Sequence, residues 1–354
     1  MAFYNKQNTA FNMALQKEIE DSCEVLEKYG RKTADPAFYD AQSLEEALNL
    51  LSELKGAVVI GGGLDLIGLI RGRIQSPEAL ISVKNVPGLN HIISLSDDSV
   101  DIGAMTSVCK IAESRAVAAN FPMLTEAAER IGSPQIRNQA TLAGNLCQQT
   151  HCWYYRRSPS TGLTYDCIRN GRSGICWAEG GENEHHSIFC SGKCHSANNS
   201  DLATALLALN GKIRIHSVHG KKLVNIEQFY TNTGTVLEEN EMVTGVMVPS
   251  AKEGTKQRFI KVAEREAIDV SIVSAAVAVT LADGYVVSSR IALGGVAFMP
   301  YRAVKAEDVL CGQKLTEEIA ERAAAAAVSD AHPMSGNEYK VRMLQAVLKR
   351  AILE

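Results

Sequence analysis

The chain has 354 residues, 46% of them hydrophobic and 21% charged, with a formal net charge of −4 at neutral pH. That length holds two or three domains with sizeable cores, and the composition excludes a disordered or fibrous chain. The mildly acidic balance, without a Lys/Arg-rich run, excludes a basic footprint for nucleic acid, and no run of eighteen apolar residues offers a membrane span.

Residues 1–34 read as a polar, helix-prone extension with no basic segment leading into an apolar stretch, so the expected location is cytoplasmic. In "DPAFYDAQSLEEALNLL", Ser43 followed by Glu46 forms a capping box, and Leu44, Ala47, Leu48 and Leu51 make one helical stripe. "GAVVIGGGLDLIGLIRG" then predicts a short buried strand from Ala57 to Ile60, a triple-glycine turn and a helix start. Further strands are predicted in "ALISVKNV" and "SVDIGAMTSV", and a helix in "FPMLTEAAERI" with Pro122 in its first turn. A second small-residue turn lies in "QIRNQATLAGNL". Beyond a cysteine-bearing region, "NSDLATALLALNGKIRIHSVHG" predicts a capped apolar helix and then alternating β-branched residues with a Gly turn, and "EMVTGVMVP" a strand closed by proline. Near residue 252 the composition changes, and antiparallel strands followed by two terminal helices predict a separate domain. The expected division is 1–34, 35–251 and 252–354.

Three consecutive glycines after a strand let backbone N–H groups approach a ligand, and a helix N-terminus just beyond favours an anion. Two such loops suit the two phosphates of a dinucleotide. Neither is a Walker loop or a GxGxxG fingerprint, and spacing alone does not separate a phosphate cradle from a pair of tight turns. Six of the nine cysteines lie between Cys147 and Cys194. In a reducing compartment such a cluster reads as metal or cluster ligands rather than disulfides. By spacing, zinc on Cys190, Cys194 and the nearby His185, His186 and His195 competes evenly with iron–sulfur chemistry. Trp153, Tyr154, Tyr155 and Trp177 read as packing around this region.

The segments "GGGLDLIGLIRG", "IGAMTSV", "FPMLTEAAERIGSPQIRNQATLAGNL", "SDLATALLAL", "EREAIDVSIVSAAVAV", "GGVAFMPYRA" and "YKVRMLQAVLKRAI" occur in one order. In that order the chain, from about residue 36 to its end, resembles the FAD-binding medium subunit of the molybdenum hydroxylases, the xanthine dehydrogenase and carbon monoxide dehydrogenase flavoprotein family. The resemblance implies an α+β fold. A two-lobed FAD-binding domain of the vanillyl-alcohol-oxidase type carries a Cys-rich insert at about 148–197, and a small α+β C-terminal domain of antiparallel sheet plus helices follows. It implies FAD, with its pyrophosphate on the backbone of Val59, Ile60, Gly61, Gly62, Gly63, Leu64, Asp65 and Leu66 and of Thr141, Ala143, Gly144 and Asn145. Asp201 is expected near the flavin, with Ile131, Val243 and Lys261 as further contacts. Leu64 and Ala143 depart from the family pattern, which has Thr, Asn or Ser at the first position and Gly at the second.

The insert resembles that of the β subunit of 4-hydroxybenzoyl-CoA reductase and of some aldehyde oxidoreductases through "NLCQQTHCWYYRR" and "CIRNGRSGICWAEGGENEHHSIF". There it holds a [4Fe–4S] cluster, which implies Cys152, Cys167, Cys176 and Cys194 as metal ligands here, with Cys190 as the alternative fourth. The function implied is an electron-transfer subunit of a heterotrimeric oxidoreductase. Electrons would pass between [2Fe–2S] clusters of a small subunit, FAD, and ferredoxin or another external carrier through the [4Fe–4S] cluster. Substrate chemistry would fall to a molybdopterin-containing large subunit, so no side chain of this chain is expected to be catalytic. A stand-alone FAD-dependent oxidase and a structural zinc-binding flavoprotein subunit are the competing readings.

Overall fold

The computed structural model describes residues 35–157, 165–170, 174–189 and 192–354; the N-terminal extension 1–34 and Cys190 lie outside the described residues. Strands β1 (Ala37–Asp40), β2 (Ala57–Ile60) and β3 (Ala79–Ser82) pair in the order β1-β3-β2, all parallel. Parallel neighbours need crossovers, and the helix Leu44–Glu53 supplies one between β1 and β2. Ser43 Oγ accepts from the Glu46 amide at 3.0 Å, while Glu46 reaches back to the Gln42 amide at 2.8 Å, one residue earlier than a standard capping box. Its stripe of Ala47, Leu48 and Leu51 shares a core with Ile81 and Val83.

A five-stranded antiparallel sheet forms the second lobe. It takes β4 (Ile92–Ser94), β5 (Val100–Gly103), β6 (Lys212–Ser217) and β7 (Gly220–Asn225); after the small ribbon β8 (Tyr230–Thr231) and β9 (Gly234–Thr235) comes its central strand β10 (Met242–Val248). The order is β4-β5-β10-β6-β7. The helix Asp201–Ala208 is buried along its whole length, as its all-round apolar sequence requires of a central helix. It shares a core with Ile102, Phe121, Leu124 and Val246.

The third sheet, β11 (Thr255–Val262), β12 (Val273–Ala282), β13 (Tyr285–Gly294) and β14 (Tyr301–Arg302), is antiparallel in sequence order. Three helices follow rather than the two expected: Val304–Leu310, Glu317–Ala327 and Tyr339–Leu353. Because strand side chains alternate, β12 belongs to two cores. Val273, Ala275, Val277 and Val279 pack with the C-terminal helices, whereas Ala276 and Ala278 join the core around the helix Asp201–Ala208. The approach is close: a Cβ on Gly294 would lie 2.5 Å from Thr204 Oγ1 and 2.4 Å from Ser274 Oγ. The C-terminal sheet is therefore fused to the preceding lobe rather than tethered to it. Among the described residues no helix is long and apolar enough to cross a membrane.

Candidate cofactor site

Strand β2 ends at Ile60, and three glycines turn the chain into the helix Leu64–Arg71. Gly63 has φ 76°, a left-handed conformation natural to glycine, and caps the helix without a side-chain bond. The first amides of that helix have no intrahelical partner and present donors to an anion beyond its N-terminus. The second loop braces the first. A Cβ on Gly62 would stand 2.2 Å from the Gln139 carbonyl oxygen, and Gln139 Nε2 donates to the Gly62 carbonyl at 2.9 Å. Thr141 caps the helix Leu142–Cys147 by accepting from the Gly144 amide at 3.2 Å.

Between the loops opens a cleft of about 710 Å³, within the range of sites that take organic cofactors. The structure brings Val59, Ile60, Gly61, Gly62, Gly63, Leu64, Asp65 and Leu66 together on its wall with Ile131, Thr141, Gly144, Asn145, Asp201 and Lys261. Two expected contacts are placed elsewhere. Val243 is buried in the core of β10, whose apolar positions face inward, and the Ala143 amide donates to the Ala104 carbonyl at 3.0 Å while its side chain packs toward the same core. Leu64 is 48% exposed, an apolar side chain where the family pattern has a polar one.

At one end, Lys261 Nζ donates to Asp201 Oδ2 at 2.7 Å and to the Arg130 carbonyl at 2.9 Å, and Ser271 Oγ donates to Asp201 Oδ1 at 2.5 Å. Both charges are almost fully buried, and such a pair endures only when its remaining donors and acceptors are satisfied, as here. At the other end Asp65 brings negative charge to the start of the helix Leu64–Arg71. Arg156 neutralises it at 2.6 Å, while also donating to the carbonyls of Gln149 and Thr150. The spacing of the sequence gives no sign of Arg156, Gln149, His151 or the segment Ile268–Val270, all on the cleft wall, since they arrive from the insert and from the β11–β12 connection. His151 opens onto the cleft, and the protein around it together with the Arg156 guanidinium pushes its pKa down, an effect tempered by its solvent contact.

The insert stands behind this wall. A second cavity of about 180 Å³, lined by Cys152, Trp153, His185 and His186, shares His151, Asn199, Asp269 and Val270 with the cleft. Cys152 Sγ lies 3.2 Å from His186 Nε2, and Arg169 donates to Cys194 Sγ at 3.9 Å and to Ser196 Oγ at 3.2 Å. Burial pushes the Cys152 thiol up to about 12; the amides of Tyr155 and Tyr154 oppose this, and Cys194 and Cys167 add to it. Burial likewise raises Cys176, against the amides of His195 and Ala178, with Cys194 contributing. Cys152 thus feels Cys194 and Cys167, and Cys176 feels Cys194, while Cys152 and Cys176 each have backbone N–H donors that partly oppose the upward shift. Among the described residues, however, no three His, Cys, Asp or Glu side chains are gathered as a metal-ion site. His195 is directed to Glu179 at 3.1 Å rather than to a cysteine.

Two family models cover the chain: "FAD binding domain in molybdopterin dehydrogenase" over residues 31–251 and "CO dehydrogenase flavoprotein C-terminal domain" over 258–354. The chain is 30% identical to the aldehyde oxidoreductase FAD-binding subunit PaoB of Escherichia coli, covering 87% of this chain and 94% of that protein. It is 29% identical to the nicotine 6-hydroxylase medium subunit of Paenarthrobacter nicotinovorans, covering 88% and 94%. A solved structure of carbon monoxide dehydrogenase from Hydrogenophaga pseudoflava superposes with a TM-score of 0.72 at 27% identity, over 90% of this chain and 96% of that one. The braced glycine loops, the cleft and these matches together make the chain a member of the FAD-binding medium-subunit family of xanthine dehydrogenase and carbon monoxide dehydrogenase type oxidoreductases.

Proposed function

We propose that this chain is the electron-relay subunit of a molybdenum hydroxylase-type complex. It would work beside a molybdopterin-containing large subunit and a [2Fe–2S] small subunit in the cytoplasm, and exchange electrons with an external carrier such as ferredoxin. The medium-subunit names of its relatives support the assembly. The observation that carries the reading is the cleft itself, bounded by two phosphate-suited loops on one side and by the cysteine-bearing insert on the other, with Arg156 to Asp65 joining the two. Its fold reading is a two-lobed FAD-binding domain of the vanillyl-alcohol-oxidase type, with the C-terminal domain starting near residue 252.

The finer part concerns the insert, to which we assign a [4Fe–4S] cluster on Cys152, Cys167, Cys176 and Cys194. A single zinc ion draws its thiolates to within about 4 Å of one another, whereas a cubane spaces four thiolates around a larger body. The assignment to the second arrangement rests on the resemblance of the insert's cysteine pattern to [4Fe–4S]-bearing relatives, since by spacing alone zinc competes evenly. Bound FAD supplies the exchange between one- and two-electron transfer, and a cluster supplies single-electron exchange. The chain's own residues do the rest. The helix amides after Gly63 hold phosphate, Asp201 and Lys261 form a fixed polar wall at the flavin end, and Arg156 keeps Asp65 from repelling the phosphates. The buried aromatic shell of Tyr154 and Tyr155 keeps water from the insert.

Iron, zinc, acid-labile sulfide and flavin content of the anaerobically purified chain test this. About four irons and four sulfides per FAD are expected, and Cys167→Ser should remove the iron–sulfur EPR signal while FAD stays bound. One zinc without sulfide would refute the cluster, and a full cluster in Cys167→Ser would refute the ligand set.

A further inference from the structure

The connection between β11 and β12 contains a backbone outlier. Ile268 has φ 79°. For a β-branched residue this left-handed conformation crowds Cβ against the neighbouring carbonyl, and it persists only where its surroundings impose it. The surroundings are visible on both sides. Arg265 closes the turn around Ile268 by donating from its amide and Nε to Asp269 Oδ2 at 2.9 and 2.8 Å, and from a terminal nitrogen to Oδ1 at 2.6 Å. Two residues beyond Asp269, Ser271 Oγ donates to Asp201 Oδ1 at 2.5 Å, which pins the turn to the Asp201–Lys261 end of the cleft.

The outcome of this bracing is an isoleucine that lines the cleft and is 60% exposed. A fold gains nothing by straining a backbone to hold an apolar side chain in water. Both terms become intelligible if a flat apolar surface covers the side chain, because burial of an aliphatic group then offsets the strain. In a cleft whose glycine loops take phosphate, the far end beside Asp201 is left for the ring system. From this we infer that Ile268 is a positioning residue for FAD, its side chain packing against the isoalloxazine and fixing the ring's seat in the cleft. The inference deepens, and rests on, the reading of this cleft as the FAD site.

The test uses the purified full-length assembly, stripped of FAD and retitrated while flavin fluorescence and the visible absorption band are followed. Ile268→Asn accepts the left-handed backbone more readily and removes the aliphatic surface, whereas Ile268→Val keeps both strain and contact. The expected result is an FAD Kd raised about tenfold in Ile268→Asn, with the band shifted as the ring is hydrated and the melting temperature of the FAD-free protein unchanged or higher. Ile268→Val should stay within about threefold. Wild-type affinity and an unshifted band in Ile268→Asn would overturn the inference, as would a weakening that only follows a lowered melting temperature of the FAD-free protein. A wild-type assembly that takes up no FAD at all would instead refute the cofactor reading, and the inference with it.

Discussion

Replacing Lys261 by methionine keeps the aliphatic stem of the side chain and deletes its charge, leaving Asp201 as a buried carboxylate without a counter-ion. The two side chains are 5% and 4% exposed, with the ammonium 2.7 Å from the carboxylate. Removing one partner of such a pair costs about 3–5 kcal/mol. The Ser271 hydroxyl remains on the other carboxylate oxygen, so the low end, about 3 kcal/mol, is expected. For a chain of this length the entropy of unfolding converts that to a fall of roughly 4 °C in melting temperature, measured on the FAD-free protein so that ligand binding does not contribute. Adding Asp201→Asn should restore most of the loss, because the stranded charge is gone, whereas Asp201→Asn alone strands the buried Lys261 ammonium and should itself destabilise. If Lys261→Met melts within about 1 °C of wild type, or if the two substitutions simply add, the pair is not coupled as argued and the reasoning fails.

Gly62→Ala should both weaken FAD binding and destabilise the first lobe by about 1–3 kcal/mol, because the new Cβ meets a backbone carbonyl at 2.2 Å rather than a side chain that can move aside. Equilibrium unfolding and FAD titration of that variant check it, and unaltered behaviour in both would show that the loops are not braced. Lys340 is fully buried, and its ammonium donates to the carbonyls of His185, His186 and Gly295 at 3.1, 3.0 and 2.9 Å. Burial pushes its pKa down to about 7 from 10.5. Between those values the unfolded chain binds the extra proton, so stability should rise with pH, by at most about 1.4 kcal/mol per pH unit, less what the three carbonyls return to the ammonium. The difference in unfolding free energy between wild type and Lys340→Met should therefore shift in favour of wild type from pH 7 to pH 10; a flat difference refutes the assignment.

Much of the site was legible because it rests on local chemistry. The triple glycine after Ile60 announces a close backbone approach, and the structure sets Gly63 at a left-handed φ and Gly62 against the Gln139 carbonyl. The Ser43 cap, Pro122 at a helix start and the β6–β7 hairpin lie where short-range patterns place them, whereas the small-residue turn expected around Gly144 and Asn145 is a helix capped by Thr141. Strand β4 escaped notice because three residues, two of them exposed, carry no period. Val243 was expected at the cofactor and Ala143 through its backbone; the valine of the central strand packs inward, and the Ala143 amide donates to the Ala104 carbonyl at 3.0 Å.

What the sequence by itself determined is the local elements, since glycine turns and caps are properties of neighbouring residues; the class of ligand rested on the resemblance carried by the order of the segments. Tertiary structure alone decided which distant residues complete the cleft. Arg156 lies 91 residues from Asp65 and Lys261 lies 60 from Asp201, and Ile268 reaches the cleft from a separate sheet. Charge pairing of this kind depends on burial and on partners brought together by a whole fold, so no local pattern could have paired them, although the resemblance had already pointed to Asp201 and Lys261 as separate contacts. The fusion of the C-terminal sheet to the preceding lobe has the same origin. A run of alanines in β12 permits close approach, but only the packed helix Asp201–Ala208 on one side and the terminal helices on the other make one strand serve two cores.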